Sequence, residues 1–263
     1  MSKKENNNKK KNNSGRILSN IILTLAIIVF AVSAIRLVTL LVPYYKGEKD
    51  YDSVKEIAIV TDTDEYDEFK DEDENRFKVD FDKLKELNSD TIGWIRFDEP
   101  SIISYPVVKS HDNKEYLTKT FTDNDNKLGS IFVDMNNKPD FKDKNTIIYG
   151  HNMRVGNQMF SQIRKYGDNK FRDEYPYFYI YTPDNKEHKY RVFAAGVVKE
   201  TADNYQINFE NDDEFESFLD LCRKLNYDTS VELDKDSKII TLSTCTCVND
   251  NERFIVQGVL EEE

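Results

Sequence analysis

Nineteen consecutive residues, Ile17 to Ile35, carry no charge, and no other feature of the chain limits its fold so sharply. As a helix such a run extends about 28 Å, close to the hydrocarbon thickness of a bilayer. Arg36 interrupts the run and Leu37 to Val42 continue it. A long basic side chain near the end of a span reaches the interface with its charged tip. Lys3, Lys4, Lys9, Lys10, Lys11 and Arg16 precede the run against a single Glu5. Lys and Arg favour the cytoplasmic side, so 1–16 is expected inside, 17–42 as a single-pass anchor, and the remainder exported. A cleaved signal peptide is the competing account, because Val32-Ser33-Ala34 offers small residues near the end of the run. A buried helix of a soluble protein fits the basic flank and the terminal position poorly.

Charge narrows the partners. The net charge is −12 although the first sixteen residues are basic, so the exported part is strongly acidic and unsuited to a nucleic-acid phosphate backbone. Acidity is densest over 61–78, within the expected juxtamembrane segment 43–78, and reads as a solvated linker. A calcium loop there lacks the ordered Gly and ligand spacing of an EF-hand. A helix is expected to leave the membrane over 44–60.

The folded domain is assigned to 79–263. A short helix over Val79–Leu87 has Phe81, Leu84 and Leu87 at helical spacing. Short β-type runs follow at Gly93–Phe97, Ile102–Val108, Gly129–Val133, Thr146–Tyr149, Tyr177–Tyr181, Tyr190–Val198, Lys238–Leu242 and Phe254–Leu260. Asn, Asp, Gly and Pro separate them, which predicts a compact, mostly antiparallel sheet or barrel. Helical insertions are expected around Gln158–Tyr166 and over Asp212–Leu225, where Phe215, Phe218, Leu219 and Cys222 share a face.

The chemistry concentrates at strand ends. Ile239-Ile240-Thr241-Leu242 runs into Ser243-Thr244-Cys245, and Ile147-Ile148-Tyr149 runs into Gly150-His151-Asn152. Arg253 opens the last strand, eight residues beyond Cys245. A thiol attacks as thiolate and needs a base or positive field. His151 can take and return a proton, and Arg253 can donate to a developing oxyanion. Each residue alone also has an ordinary structural explanation: a Cys as a small hydrophobe, a His or an Arg at a solvated strand end. His111 and His188, both in polar surroundings, are the alternative bases. Cys222 is expected to pack in the core, as are Phe81, Trp94, Tyr105, Tyr177 and Tyr179. Three cysteines make a poor disulfide framework for an exported protein. Cys247 is two residues from Cys245, too near for an unstrained bridge within a strand. It stands as an incidental loop residue, with a redox-sensitive neighbour as one alternative and a Cys-x-Cys metal pair, which would need two more ligands, as the other.

Thr241-Leu242-Ser243-Thr244-Cys245, the downstream Arg253, the upstream Tyr149-Gly150-His151-Asn152 and the anchor together resemble the sortase family, most of all class B. The resemblance covers roughly 81 to 260 and includes Gly93-Trp94-Ile95, Ile103-Ser104-Tyr105-Pro106-Val107-Val108 and Gly129-Ser130-Ile131-Phe132-Val133-Asp134. It implies a mainly β fold: a closed sortase-type barrel of about eight strands with peripheral helices, one of them between the sixth and seventh strands. It implies Cys245 as nucleophile, His151 as acid/base and Arg253 as oxyanion donor, with Ser243 and Thr244 lining the substrate groove. The implied reaction cuts a C-terminal sorting signal of an exported protein, often of Asn-Pro-x-Thr type, through a thioacyl-enzyme. An amine of the cell-wall precursor, or a pilin lysine, then takes the acyl group. The reaction calls for no cofactor and no metal. A bell-shaped pH profile is expected, because the working form pairs thiolate with imidazolium. The rivals are a cysteine hydrolase, a peptidoglycan-stem transpeptidase, whose cysteine follows Ser-His-Gly rather than Leu-Ser-Thr, and an anchored binding protein without catalysis.

Overall fold

The computed structural model of the protein describes residues 2–60, 77–153, 155–246 and 248–262. Most of the acidic segment, with its calcium alternative, and Cys247 lie outside these residues. The chain divides into two compact units, 1–45 and 46–263.

Helix α1 spans Ser2–Ala58. In the first unit its apolar side chains, such as Leu23, Val29 and Phe30, are exposed. The helix is long and apolar enough to cross a membrane, with an 18-residue window in it reaching a mean hydropathy of 2.7. Thr24 Oγ1 donates to Asn20 O and Thr39 Oγ1 to Arg36 O, each at 2.8 Å. Both hydroxyls are thus satisfied within the helix, as an apolar medium requires.

In the second unit the end of α1 buries a stripe at helical spacing, Gly47, Tyr51, Val54 and Ala58. Tyr51 Oη donates to Gly129 O at 2.7 Å, and Thr122 Oγ1 donates to Asp50 at 2.7 and 2.8 Å. Burial pushes the Tyr51 phenol well above its ordinary value. Ile59–Val60 then pairs with Lys78–Val79. Helix α2, Phe81–Leu87, starts at Asp80, whose carboxylate accepts from Lys83 N at 3.0 Å. Phe81 and Leu84 are buried while Leu87 is exposed.

Eight strands close a barrel: β1 Thr91–Phe97, β2 Ser104–Lys109, β3 Ile131–Val133, β4 Asn145–Tyr149, β5 Tyr177–Tyr181, β6 Glu187–Lys199, β7 Ile239–Cys245 and β8 Glu252–Glu262. Their order is β8-β7-β4-β3-β2-β1-β5-β6, and β8 pairs with β6 to complete the ring. The ring leaves no free edge. Most pairings are antiparallel, but β2–β3 and β4–β7 are parallel. A ninth segment, Asn226–Tyr227, adds to β6. Of the two expected insertions, the first is 3₁₀ rather than α, Ser161–Gly167. A second helix follows it, α3 Asn169–Glu174, which Asp168 caps. The other is α4, Asp212–Cys222, between β6 and β7. Asn211 caps α4, three acidic residues occupy its positive first turn, and Phe215, Phe218, Leu219 and Cys222 pack on Phe193, Ile239 and Val259.

Strand β7 is buried from Ile239 to Thr244, as a strand paired on both edges and covered on both faces must be. Side chains pin its register. Thr241 Oγ1 donates to Asn145 Oδ1 on β4 at 2.8 Å, and Gln257 Nε2 on β8 donates to Thr241 Oγ1 at 3.1 Å. Asn145 Nδ2 in turn donates to Gln206 O at 2.8 Å. Such polar groups are buried only where partnered, so a one-residue slip of β7 would break the chain of bonds. That register positions the functional residues.

Candidate active site

Parallel pairing sets Ser243 of β7 beside Tyr149 of β4. Both strands therefore run out in the same direction, and the segments beyond them, Thr244-Cys245 and Gly150-His151, leave the barrel at the same rim. On its other edge Cys245 is the direct cross-strand partner of Arg253, which brings the side chains of such a pair within about 5 Å at the β-carbon. A cleft of about 580 Å³ opens at this rim, and His151, Ser243, Thr244, Cys245 and Arg253 all line it. The five predicted site residues thus share one cleft. A larger polar groove of about 900 Å³ beside Arg191, Arg223 and Lys238 contains none of them.

Cys245 is an exposed free thiol. His151 Nε2 lies 2.7 Å from Leu117 O. A carbonyl only accepts, so Nε2 carries hydrogen in that contact, and Nδ1 is the nitrogen of a neutral ring left to take a proton. The imidazole fits closely here. A Cβ added at Gly129, which has φ +60°, would stand 2.9 Å from His151 Cδ2 and 2.5 Å from Tyr116 O. Only glycine suits that position.

Arg253 is held by three acceptors. Nη1 donates to Asp250 O at 2.6 Å and Glu252 O at 2.9 Å, and Nη2 to Glu200 Oε2 at 2.7 Å. A guanidinium has five N–H donors, so two remain for a ligand. Glu200 stands at the end of β6, and its own N–H donates to Asn251 O at 2.9 Å.

Ser243 is buried, and its Oγ is 2.7 Å from Tyr205 Oη. Thr244 Oγ1 is buried with no hydrogen-bond partner among the described residues. Such a group costs stability unless something else bonds it. Tyr149 and Tyr205 stack at 6.4 Å between centroids and form an aromatic wall. Burial pushes the Tyr205 phenol up to about 12. Burial and the neighbouring Asp134 raise Tyr149 further.

Leu117, Glu200, Thr201 and Tyr205 belong to the cleft as well, and sequence reasoning missed them. Leu117 and Tyr205 end short 3₁₀ helices, Glu115–Leu117 and Asp203–Tyr205, Glu200 and Thr201 follow β6, and no motif marks any of them. His111 is exposed and outside the cleft. His188 belongs to β6, pairs with Ile180, and has Nε2 3.1 Å from Thr182 Oγ1. Cys222 is fully buried, and burial pushes its thiol up to about 12. Among the described residues no three His, Cys, Asp or Glu side chains are grouped to hold a metal ion.

Comparison with known proteins places this geometry. Residues 98–261 match the sortase domain family. Sortase B of Listeria monocytogenes is 38% identical over 182 residues, covering 67% of this chain and 72% of the relative. A crystal structure of sortase B from Bacillus anthracis in complex with AAEK1 superposes with a TM-score of 0.71 at 28% identity, over 84% of this chain and 99% of that one. A Staphylococcus aureus sortase B–substrate complex gives a TM-score of 0.63 at 28% identity, over 69% of this chain and 84% of that one.

Proposed function

Because this chain belongs to the sortase family, class B, we propose that it is a membrane-anchored cysteine transpeptidase that cuts the sorting signal of exported proteins and joins them to an amine. The observation that carries the proposal is the pairing of Cys245 with Arg253 at the rim of a cleft that His151 also lines.

Cys245 Sγ gives its proton to the His151 ring and attacks the carbonyl carbon of the scissile bond. The carbonyl oxygen gains the electron pair, and the free N–H donors of Arg253 stabilise it. Collapse of the tetrahedral intermediate breaks the C–N bond, and His151 returns the proton to the leaving amine. The thioester left on Cys245 is attacked by an incoming amine whose proton passes to His151. Expulsion of the thiolate leaves a new amide. Ser243, Thr244 and the Tyr149–Tyr205 wall hold the signal peptide. Thr244 Oγ1, buried without a partner, supports a hydrogen bond to it. The substrate complex of the Staphylococcus aureus relative supports a peptide as occupant. Cell-wall precursor or a pilin lysine supplies the amine.

The basic segment 1–16 is cytoplasmic in this proposal and 17–42 spans the membrane. Residues 43–78 form the juxtamembrane segment, and 79–263 works outside the cell, anchored to the surface of a Gram-positive bacterium.

The test uses the full chain in detergent with a library of quenched peptides carrying candidate signals, followed by intact-mass spectrometry with and without amine. The expected result is an acyl adduct that Cys245→Ala lacks and a ligated product that depends on amine. Acid product alone, indifferent to amine, would identify a hydrolase. An unreactive Cys245 and no adduct with any peptide would leave a binding protein.

A further inference from the structure

The β4–β7 ladder ends in an unusual way. Gly150 N donates to Ser243 O at 3.1 Å, which is a regular parallel rung. In a regular parallel ladder Cys245 N would next donate to Gly150 O, and the peptide N–H of residue 152 would then donate to Cys245 O. The backbone there has already turned away. Phe160 N donates to His151 O at 2.9 Å, and Asn152 forms an isolated antiparallel bridge with Met159. The Asn152 side chain reaches back instead, and its Nδ2 donates to Cys245 O at 2.8 Å. A carboxamide thus replaces the missing peptide N–H. The next carbonyl, Thr246 O, accepts from Arg164 Nη1 at 3.3 Å.

These bonds close a ring. Ser243-Thr244-Cys245 forms one side, Gly150-His151-Asn152 the other, and the two rungs join them. The His151 main chain is free to leave the sheet and project its ring into the cleft, while the strand end that carries the thiol stays tied to the same turn. We propose that Asn152 is a positioning residue that sets the separation and direction of the Cys245 thiol relative to the His151 imidazole. This rests on Cys245 and His151 being the reacting pair. A misplacement of about 1 Å between reacting groups can cost about 100-fold in rate. Asp has the same shape as Asn but, ionised, only accepts. It would repel Cys245 O where the amide binds it.

The experiment compares Asn152→Asp, Asn152→Ala and Asn152→Gln in the full-length chain in detergent, in a Cys247→Ser background that leaves only Cys245 and the buried Cys222 as thiols. Three quantities are read: kcat and KM for the quenched peptide selected above with triglycine as amine, the pH profile of Cys245 alkylation by iodoacetamide, and the thermal midpoint. For the Asp and Ala variants kcat falls about tenfold or more while KM stays within about twofold, and the alkylation profile moves along the pH axis. Asn152→Gln keeps the donor on a longer stem and recovers part of kcat. Unchanged kcat and an unchanged alkylation profile in Asn152→Asp would overturn the proposal. So would a loss of kcat with the profile unmoved and a lowered thermal midpoint, since the residue would then only support the fold. Alkylation needs no sorting peptide, so this arm is decided independently of the transpeptidase assignment. Ligation that persists in Cys245→Ala would instead remove the assignment itself, and the proposal with it.

Discussion

Two cysteines occupy opposite kinds of place in this molecule. Cys222 ends a helix and is fully buried among Phe215, Phe218 and Leu219. Cys245 ends a strand and is exposed, opposite an arginine and in one cleft with a histidine. At the end of α4 burial outweighs the neighbouring Gln257 and Arg223, and it holds the thiol protonated. At the rim of β4, β7 and β8 strand pairing holds the main chain, yet the side chains meet solvent and a permanent cation. A thiol's reactivity follows its surroundings rather than its residue type, and in the proposed mechanism the exposed strand end is the reactive place.

The largest effect that would test this contrast is loss of the rim thiol. Cys245→Ala should lower amide formation by about 1,000-fold or more without lowering the thermal midpoint. Residual ligation close to wild type would break the contrast at once. Arg253→Lys keeps the charge but loses the planar fork, and kcat should fall about 100-fold. An equal fall in kcat/KM with KM unmoved would mark a transition-state role. Glu200→Gln removes the anionic acceptor of Arg253 Nη2, and kcat should drop by severalfold with a stronger dependence on ionic strength than Arg253→Lys shows. The smallest effect belongs to the core. Cys222→Ala should cost about 1 kcal/mol of stability in denaturant unfolding and leave kcat alone.

The same contrast has a pH signature. The Cys222 thiol is raised from 9.0 to about 12 in the folded protein. Its contribution to stability is complete below the ordinary thiol value. It is lost as pH climbs through that value towards the folded one, because the unfolded chain releases a proton that the core retains. Buried tyrosines act in the same direction, so the difference between wild type and Cys222→Ala isolates the thiol. The variant should lose less stability between about pH 9 and 11, measured by urea unfolding. Iodoacetamide at neutral pH should label Cys245 and spare Cys222 until the protein unfolds.

Much of the fold is legible in the chain. Short β-type runs bounded by Asn, Asp, Gly and Pro mark all eight barrel strands to within a few residues, because strand composition and turn chemistry are local properties. Phe215, Phe218, Leu219 and Cys222 mark α4 for the same reason. The parallel pairing of β4 with β7 is not local, and nothing in either strand announces it. Helix α3 and the 3₁₀ form of Ser161–Gly167 are short segments whose shape follows from packing and from the cap at Asp168. At the site, Cys245, His151 and Arg253 stand at strand ends within recognisable strings. Leu117 and Tyr205 reach the cleft from short 3₁₀ helices and Glu200 from just beyond a long strand, where residue type carries no address.

The amino-acid sequence by itself determined that this chain has one apolar helix of membrane-spanning length, a β-rich domain of short strands, and a cysteine, a histidine and an arginine at strand ends. Those properties depend on neighbours a few residues apart. Only the tertiary structure decided that Cys245 faces Arg253, that His151 donates to Leu117, and that a side-chain amide from Asn152 takes over where the β4–β7 ladder stops. The first depends on the register of the β7–β8 pair, and the other two on contacts between segments distant in the chain. That register is set by closure of the barrel and by the buried bonds among Asn145, Thr241 and Gln257, which no local pattern encodes.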